Sequence, residues 1–338
     1  MTERQPYIDI LKSGAIVAVV ALHVSGTLFY QYGTIPMDWW WTAHVVDSLS
    51  RWAVPVFLMC SGALMLGAEE TGIREFLVKR ARRVVVPLLF WSVAYYFFRH
   101  LRGWASPEIL VQEAKAFLEG GVYYHLRFLY YLLGLYLVTP MLQVFVRHAS
   151  KNLLRYVLVL WFAGTVLYPA VARYAGITIG IPLGTVSGFV GYFLLGHYVH
   201  AYGVSRATKA VSVALGALGL ALTVVGTYVL TARASTPDEH FYEYLNAAVI
   251  LPSIMVFVLA RSGYRPGRLE PAIRSWSDGS FGIYLVHPIV MAVMARLGVS
   301  ASLVHPLLGI PLTVACVLGL SYAIVYFVRK VPVLRNVV

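Results

Sequence analysis

"YIDILKSGAIVAVVALH", residues 7–23, is an apolar run long enough to start a membrane helix, yet it carries Asp9, Lys12 and His23. A segment that spans hydrocarbon needs about 20 predominantly apolar residues. An ionisable group inside one is a functional-site hypothesis by default. The rest of the 338-residue chain has the same character: 59% of it is hydrophobic and only 12% is charged. A soluble domain carries about 25% charged residues. The chain therefore reads as an all-α, polytopic membrane protein. Windows of apolar residues give about ten spans, near 8–29, 45–67, 84–100, 123–146, 154–174, 185–203, 210–232, 242–260, 278–297 and 305–328. The intervening loops leave no room for a sizeable soluble domain, so residues 1–338 form one membrane-embedded unit. Lys12 and Asp9 also argue against a cleaved signal peptide and for a retained first helix.

Ten spans put both termini on one side. Nineteen of the 27 Lys and Arg residues fall on that side and eight on the other. The positive-inside rule makes it the cytoplasm. The formal net charge of +12 then reports topology and attraction to anionic lipid, and binding of nucleic acid is not expected. Cys60 and Cys316 both sit in apolar runs, with neither a disulfide framework nor a metal-ligand spacing. Trp39, Trp40 and Trp41, and the pair Tyr123 and Tyr124, read as interfacial belts.

Helix geometry relates the three ionisable groups of the opening stretch. Lys12 and His23 are eleven residues apart, which is about three turns and ~16 Å of rise, so they share a face at different depths. Asp9 precedes Lys12 by three, the spacing for a direct side-chain pair. In "DSLSRWAVPVFLMCSG", residues 47–62, Asp47 and Arg51 form an i,i+4 pair, while Pro55 and Gly62 permit a kink and close helix approach. "REFLVKRARRVVVPLLFW", residues 74–91, places five basic residues within ten positions, only partly offset by Glu69, Glu70 and Glu75. It serves as a positive-inside anchor or as a phosphate site. Arg80 and Arg83, three apart, can grip one anion from one helix face.

These motifs together resemble the acyltransferase 3 family of bacterial membrane O-acyltransferases. The resemblance rests on "YIDILKSGAIVAVVALH", "VPVFLMCSGALML" (54–66), "FLVKRARRVVVPLLFW" (76–91), "HLRFLYYLLGLYLVTPML" (125–142) and "SFGIYLVHPIV" (280–290), in the family's order. It implies a ten-helix membrane domain in the bacterial inner membrane, of the stand-alone branch. The implied reaction is transfer of an acyl group, usually acetyl from acetyl-CoA, to a hydroxyl of an envelope glycan or its lipid-linked precursor; no metal is implied. On the resemblance His23 matches the catalytic histidine, with Asp9 and Lys12 the charged residues before it. Lys12 stands where the family usually has Arg, a point charge in place of a planar fork. Arg80 and Arg83 match the motif that handles the acyl donor, with Lys79 or Arg82 assisting. Arg51, Ser61, Ser280, Tyr284 and His287 match further positions and, with His125 and Arg127, are candidates for acceptor contacts. Arg127 stands where Trp is common, which points to an anionic acceptor or a charge partner in the site.

Acyl transfer needs a base for the hydroxyl, donors for the oxyanion and a grip on the CoA phosphates. The expectation is that Arg80 and Arg83 hold the phosphates, Asp9 and Lys12 form a pair at the entrance, and His23 is the base. Tyr284, Ser280, His287 and His125 are the candidates for oxyanion or acceptor hydrogen bonds. An acyl-histidine intermediate is the other chemical route. A secondary transporter of a small polar or anionic solute, with Asp47, Arg51 and Arg127 lining its pathway, is the alternative from another class. No inverted repeat supports it. A scaffold protein would not keep polar residues in several spans.

Overall fold

A computed structural model of the protein describes residues 4–68, 72–100, 107–178, 180–181 and 183–338, so Glu69, Glu70 and Arg102 lie outside the described residues. Among them there is no strand. The helices are α1 (Pro6–Phe29), α2 (Met37–Ser50), α3 (Ala53–Met65), α4 (Ile73–Arg99), α5 (Pro107–Glu119), α6 (Arg127–His148), α7 (Lys151–Phe162), α8 (Tyr168–Ala175), α9 (Val190–Tyr202), α10 (Arg206–Ala221), α11 (Thr227–Ala234), α12 (Ala247–Gly263), α13 (Glu270–Arg296) and α14 (Pro306–Lys330). The pairs α7–α8 and α10–α11 are each one continuous rod interrupted by a single π-helical turn, at Ala163–Leu167 and Leu222–Gly226.

Eight helical stretches are long and apolar enough to cross a membrane, among the described residues. Eight of the ten expected spans overlap these. The other two differ for physical reasons. The window at 84–100 covers the C-terminal part of α4 and its cap residue His100, and the first turns of that helix carry the basic cluster and lengthen it well beyond the apolar part. The window at 185–203 becomes α9, with 13 residues. At 1.5 Å per residue that is ~20 Å, short of a ~30 Å hydrocarbon core. The sequence reading also left residues 107–119 as loop, where the amphipathic α5 forms. Apolar side chains face outward along the rods; Leu137, Met141 and Val144 form such a stripe on α6. In water that surface would aggregate, whereas in lipid it meets its own solvent.

α1 is central. It packs along α2 and α13 and touches α3, α12 and α14. Its start is set by Pro6 in the first turn, where no amide hydrogen bond is lost. The span 37–65 breaks at Arg51–Trp52 into α2 and α3. Pro55 explains this, because its ring crowds the carbonyl four residues earlier, that of Arg51, and offers it no N–H. α3 then lies backbone to backbone on α9. A Cβ on Gly62 would fall 2.0 Å from the Phe193 carbonyl oxygen, and one on Gly196 would fall 2.0 Å from that of Met59. Only glycine permits that approach. α4 is tied to the bundle by Tyr95, whose hydroxyl donates to the Leu285 carbonyl (2.8 Å), and by Trp91, whose indole N–H donates to the Val337 carbonyl (2.8 Å).

Candidate active site

Two cavities enter the bundle from opposite ends along α1. The one at the basic end, about 370 Å³, is lined by Lys12, Ser61, Arg80, Arg83, Tyr136, Asp278, Ser280 and neighbouring apolar groups. The one at the other end, about 500 Å³, is lined by His23, Asp47, Arg51, Tyr124, His125, Arg127, Tyr131, Tyr244 and Tyr284. The expected shared face of Lys12 and His23 is therefore present, one residue in each cavity. Outward from the second cavity a further void of about 440 Å³ shares Arg51, Arg127, Tyr131 and Tyr244 with it and adds Glu239, Tyr242 and Glu243.

At the basic end the expected pairing fails. Asp9 does not bond Lys12. Its carboxylate accepts from the Arg4 guanidinium (2.6 and 3.0 Å) and from the Ser277 hydroxyl (2.6 Å). Arg4 also reaches Asp278 at 2.9 Å. The i,i+3 spacing permits a pair, but a bidentate guanidinium plus a hydroxyl satisfies the carboxylate better than one ammonium. Asp9 is thus a clasp between the N-terminal segment and α13. Lys12 is left without an acidic partner among the described residues and joins Arg80 and Arg83 in the cavity wall. Those two share a helix face by their spacing, with the Arg80 guanidinium over the Phe76 and Tyr136 rings. Lys79 and Arg82 are exposed and do not line the cavity. Ser61 and Ser280 line it or border it with their hydroxyl hydrogens given to the Phe57 carbonyl (3.0 Å) and the Ser277 carbonyl (2.8 Å).

In the other cavity the central feature joins residues 264 apart in sequence. His23 Nδ1 and His287 Nε2 are 2.7 Å apart, with parallel rings. His287 Nδ1 lies 2.8 Å from the Tyr284 carbonyl oxygen, which can only accept, so Nδ1 carries that ring's proton. For a neutral ring Nε2 is then an acceptor, and His23 must donate to it from Nδ1. His23 Nε2 is left as the basic nitrogen of a residue that lines the cavity. Tyr124, read earlier as an interfacial residue, sets its ring edge-on to His23 at 4.9 Å.

The four candidates for oxyanion or acceptor hydrogen bonds separate on geometry. The Tyr284 hydroxyl donates to the His125 carbonyl. His287 is committed to His23 and the helix carbonyl. Ser280 lines the opposite cavity. The His125 ring is buried against the cavity with neither nitrogen in hydrogen-bond geometry to a described group.

Asp47 and Arg51 form the expected i,i+4 pair, with contacts of 2.6 and 2.9 Å. Asp47 is fully buried, and the Arg51 guanidinium lies 3.8 Å over the Tyr242 ring. Arg127 is exposed at the outer mouth. Trp40 is no interfacial anchor. It is fully buried and donates to the Phe29 carbonyl at 2.9 Å.

Among the described residues no group of three or more His, Cys, Asp or Glu side chains converges as a metal site. Sequence reasoning missed Phe128, Tyr131, Tyr244 and Asp278, which line these cavities. Phe128 and Tyr131 lie within the quoted stretch 125–142 but are aromatic residues in an apolar helix, and Tyr244 and Asp278 lie outside every quoted stretch, so only their position marks them. Compared with known proteins, the family model described as "Acyltransferase domain" matches residues 5–326, nearly the whole chain. No curated protein and no solved structure matches the chain.

Proposed function

The chain belongs to the acyltransferase 3 family of membrane acyltransferases, and from that premise we propose that it moves an acetyl group from acetyl-CoA to a hydroxyl of an envelope glycan or its lipid-linked precursor. The termini and the Lys12–Arg80–Arg83 cavity face the cytoplasm of a bacterium, and the His23 cavity faces the outside of the inner membrane. The observation that carries this reading is His23, with one nitrogen held by His287 and the other left basic inside a cavity.

Lys12, Arg80 and Arg83 bind the CoA phosphates, where charge-assisted hydrogen bonds from guanidinium are strongest. The thioester end extends towards His23. The acceptor hydroxyl lies against His23 Nε2, and the tyrosine rings beyond it offer apolar faces with polar tips to the rest of the acceptor. The hydroxyl oxygen bonds to the acyl carbon while Nε2 takes its proton. The carbon–sulfur bond breaks, and the proton passes from His23 to the departing thiolate. As His23 becomes cationic, His287 Nε2 accepts from it and the Tyr284 carbonyl holds His287 in that tautomer. A turn of the His125 ring, whose buried nitrogens have no hydrogen-bond partner among the described residues to release, lets it donate to the oxyanion.

The test is purified protein in lipid with labelled acetyl-CoA and candidate glycans. Acceptor-dependent CoA release, lost in His23→Ala, is expected. Wild-type turnover in His23→Ala would overturn the base assignment.

A further inference from the structure

Among the described residues, only Phe128 and Tyr284 line both cavities. Their rings meet edge to face with centroids 5.4 Å apart. One layer of aromatic side chain therefore separates a space walled by Lys12, Arg80 and Arg83 from one walled by His23 and His125.

The two rings are not held alike. Tyr284 is buried, its hydroxyl is bonded to the His125 carbonyl, and its own carbonyl fixes His287. Swinging the Tyr284 ring out of the layer would break its hydroxyl's hydrogen bond to the His125 carbonyl. Phe128 is half-buried in the first turn of α6, with no polar bond on its side chain. Its ring contacts are Tyr284 and, at 6.3 Å, Phe57. Leaving the layer breaks only apolar contacts of its ring with Tyr284, Phe57 and the neighbouring core, and no hydrogen bond.

We propose that Phe128 is the moving leaf of a gate that closes the passage between the two cavities until the acyl-bearing arm of the donor displaces it. The proposal rests on the donor and acceptor sides assigned above. Two physical demands call for such a gate. A continuous wet path across a membrane conducts protons, and an apolar constriction stops this by dewetting. Water reaching the bound thioester would also hydrolyse it: the water oxygen bonds to the acyl carbon, the carbon–sulfur bond breaks, and the free acid and CoA thiol leave. With Phe128 seated, the relay side stays dry of the donor side. When the arm is in place, it fills the gap itself.

The experiment uses the full chain in proteoliposomes under a pH gradient, read with an internal pH dye, and separately assays CoA release with and without acceptor. In the absence of donor the wild type holds the gradient, and Phe128→Ala dissipates it about tenfold faster because the apolar constriction is removed. Phe128→Ala also raises acceptor-independent CoA release relative to transfer. Phe128→Leu, still apolar and space-filling, stays tight. Phe128→Trp binds acetyl-CoA as the wild type does but transfers more slowly. A gradient held equally well by wild type and Phe128→Ala overturns the gate, as does unchanged transfer in Phe128→Trp. The leak assay contains no acyl-CoA. A leak in Phe128→Ala without CoA release from any donor keeps the gate and overturns the donor assignment. Intact transfer without the leak overturns the gate alone.

Discussion

Replacing His287 by Phe removes the acceptor for His23 Nδ1 and keeps a flat ring in a fully buried position that stacks on His23. The magnitude follows from what that one 2.7 Å hydrogen bond does. In the resting state both rings are neutral. In the proposed reaction His23 acquires a second proton in the transition state, and its Nδ1–H becomes a charge-assisted donor to His287. A hydrogen bond to a charged group contributes about 1.5–3 kcal/mol, against about 1 kcal/mol for a neutral one. Both bonds are lost together, so the barrier rises by the difference, about 0.5–2 kcal/mol, and the chemical step slows by about 2- to 30-fold. Substrate binding does not use it, so KM for acetyl-CoA stays near the wild-type value. His287→Gln, whose side-chain carbonyl can accept from Nδ1–H, recovers part of the rate. His23→Ala removes the proposed base itself, with a cost of about 10²- to 10⁴-fold. The double variant His23→Ala/His287→Phe is no slower than His23→Ala, because the relay acts only through the base. The assay is steady-state acetyl transfer on variants with wild-type melting temperatures. A His287→Phe enzyme within twofold of wild-type kcat, or a fully additive double variant, would refute the relay.

Other outcomes follow from the same geometry. If the proposed donor site is right, Arg80→Ala/Arg83→Ala raises KM for acetyl-CoA by about tenfold or more, since each removes charge-assisted contacts proposed to reach phosphate, while kcat changes little; donor titration measures this. Gly196→Leu puts a Cβ 2.0 Å from the Met59 carbonyl oxygen and forces α3 and α9 apart. Overpacking of this kind costs about 1–3 kcal/mol or more, seen as a lower melting temperature in detergent, and a wild-type melt would show that the seam can open freely. Arg51→Met leaves buried Asp47 without its cation and destabilises the fold by about 3–5 kcal/mol, whereas Asp47→Leu/Arg51→Met recovers much of that loss; chemical denaturation of both separates the cases.

Much of the architecture was legible because the membrane imposes it residue by residue. Apolar windows locate most spans, and the spacing of Lys12 and His23 follows from helical pitch alone. Arg80 and Arg83 share a face for the same reason, as do Asp47 and Arg51. The reading failed where a local rule had a distant competitor. Asp9 has Lys12 three residues away, yet it bonds Arg4 and Ser277, the latter delivered by α13. Trp40 looked interfacial by composition, but a carbonyl of α1 and the Phe29 and His44 rings enclose it. α9 read as a span because its residues are apolar, and it is apolar because it is buried on α3.

By itself the sequence determined that the chain is a helical membrane protein, which family it resembles, and which residues share a face on any one helix. Those properties depend on composition and on the periodicity of a single element. Tertiary packing alone decided that His287 holds His23, that Tyr284 is spent on His125, and that Phe128 stands between two cavities. Each of these joins side chains from different helices, and no periodicity within one helix specifies the distance to another.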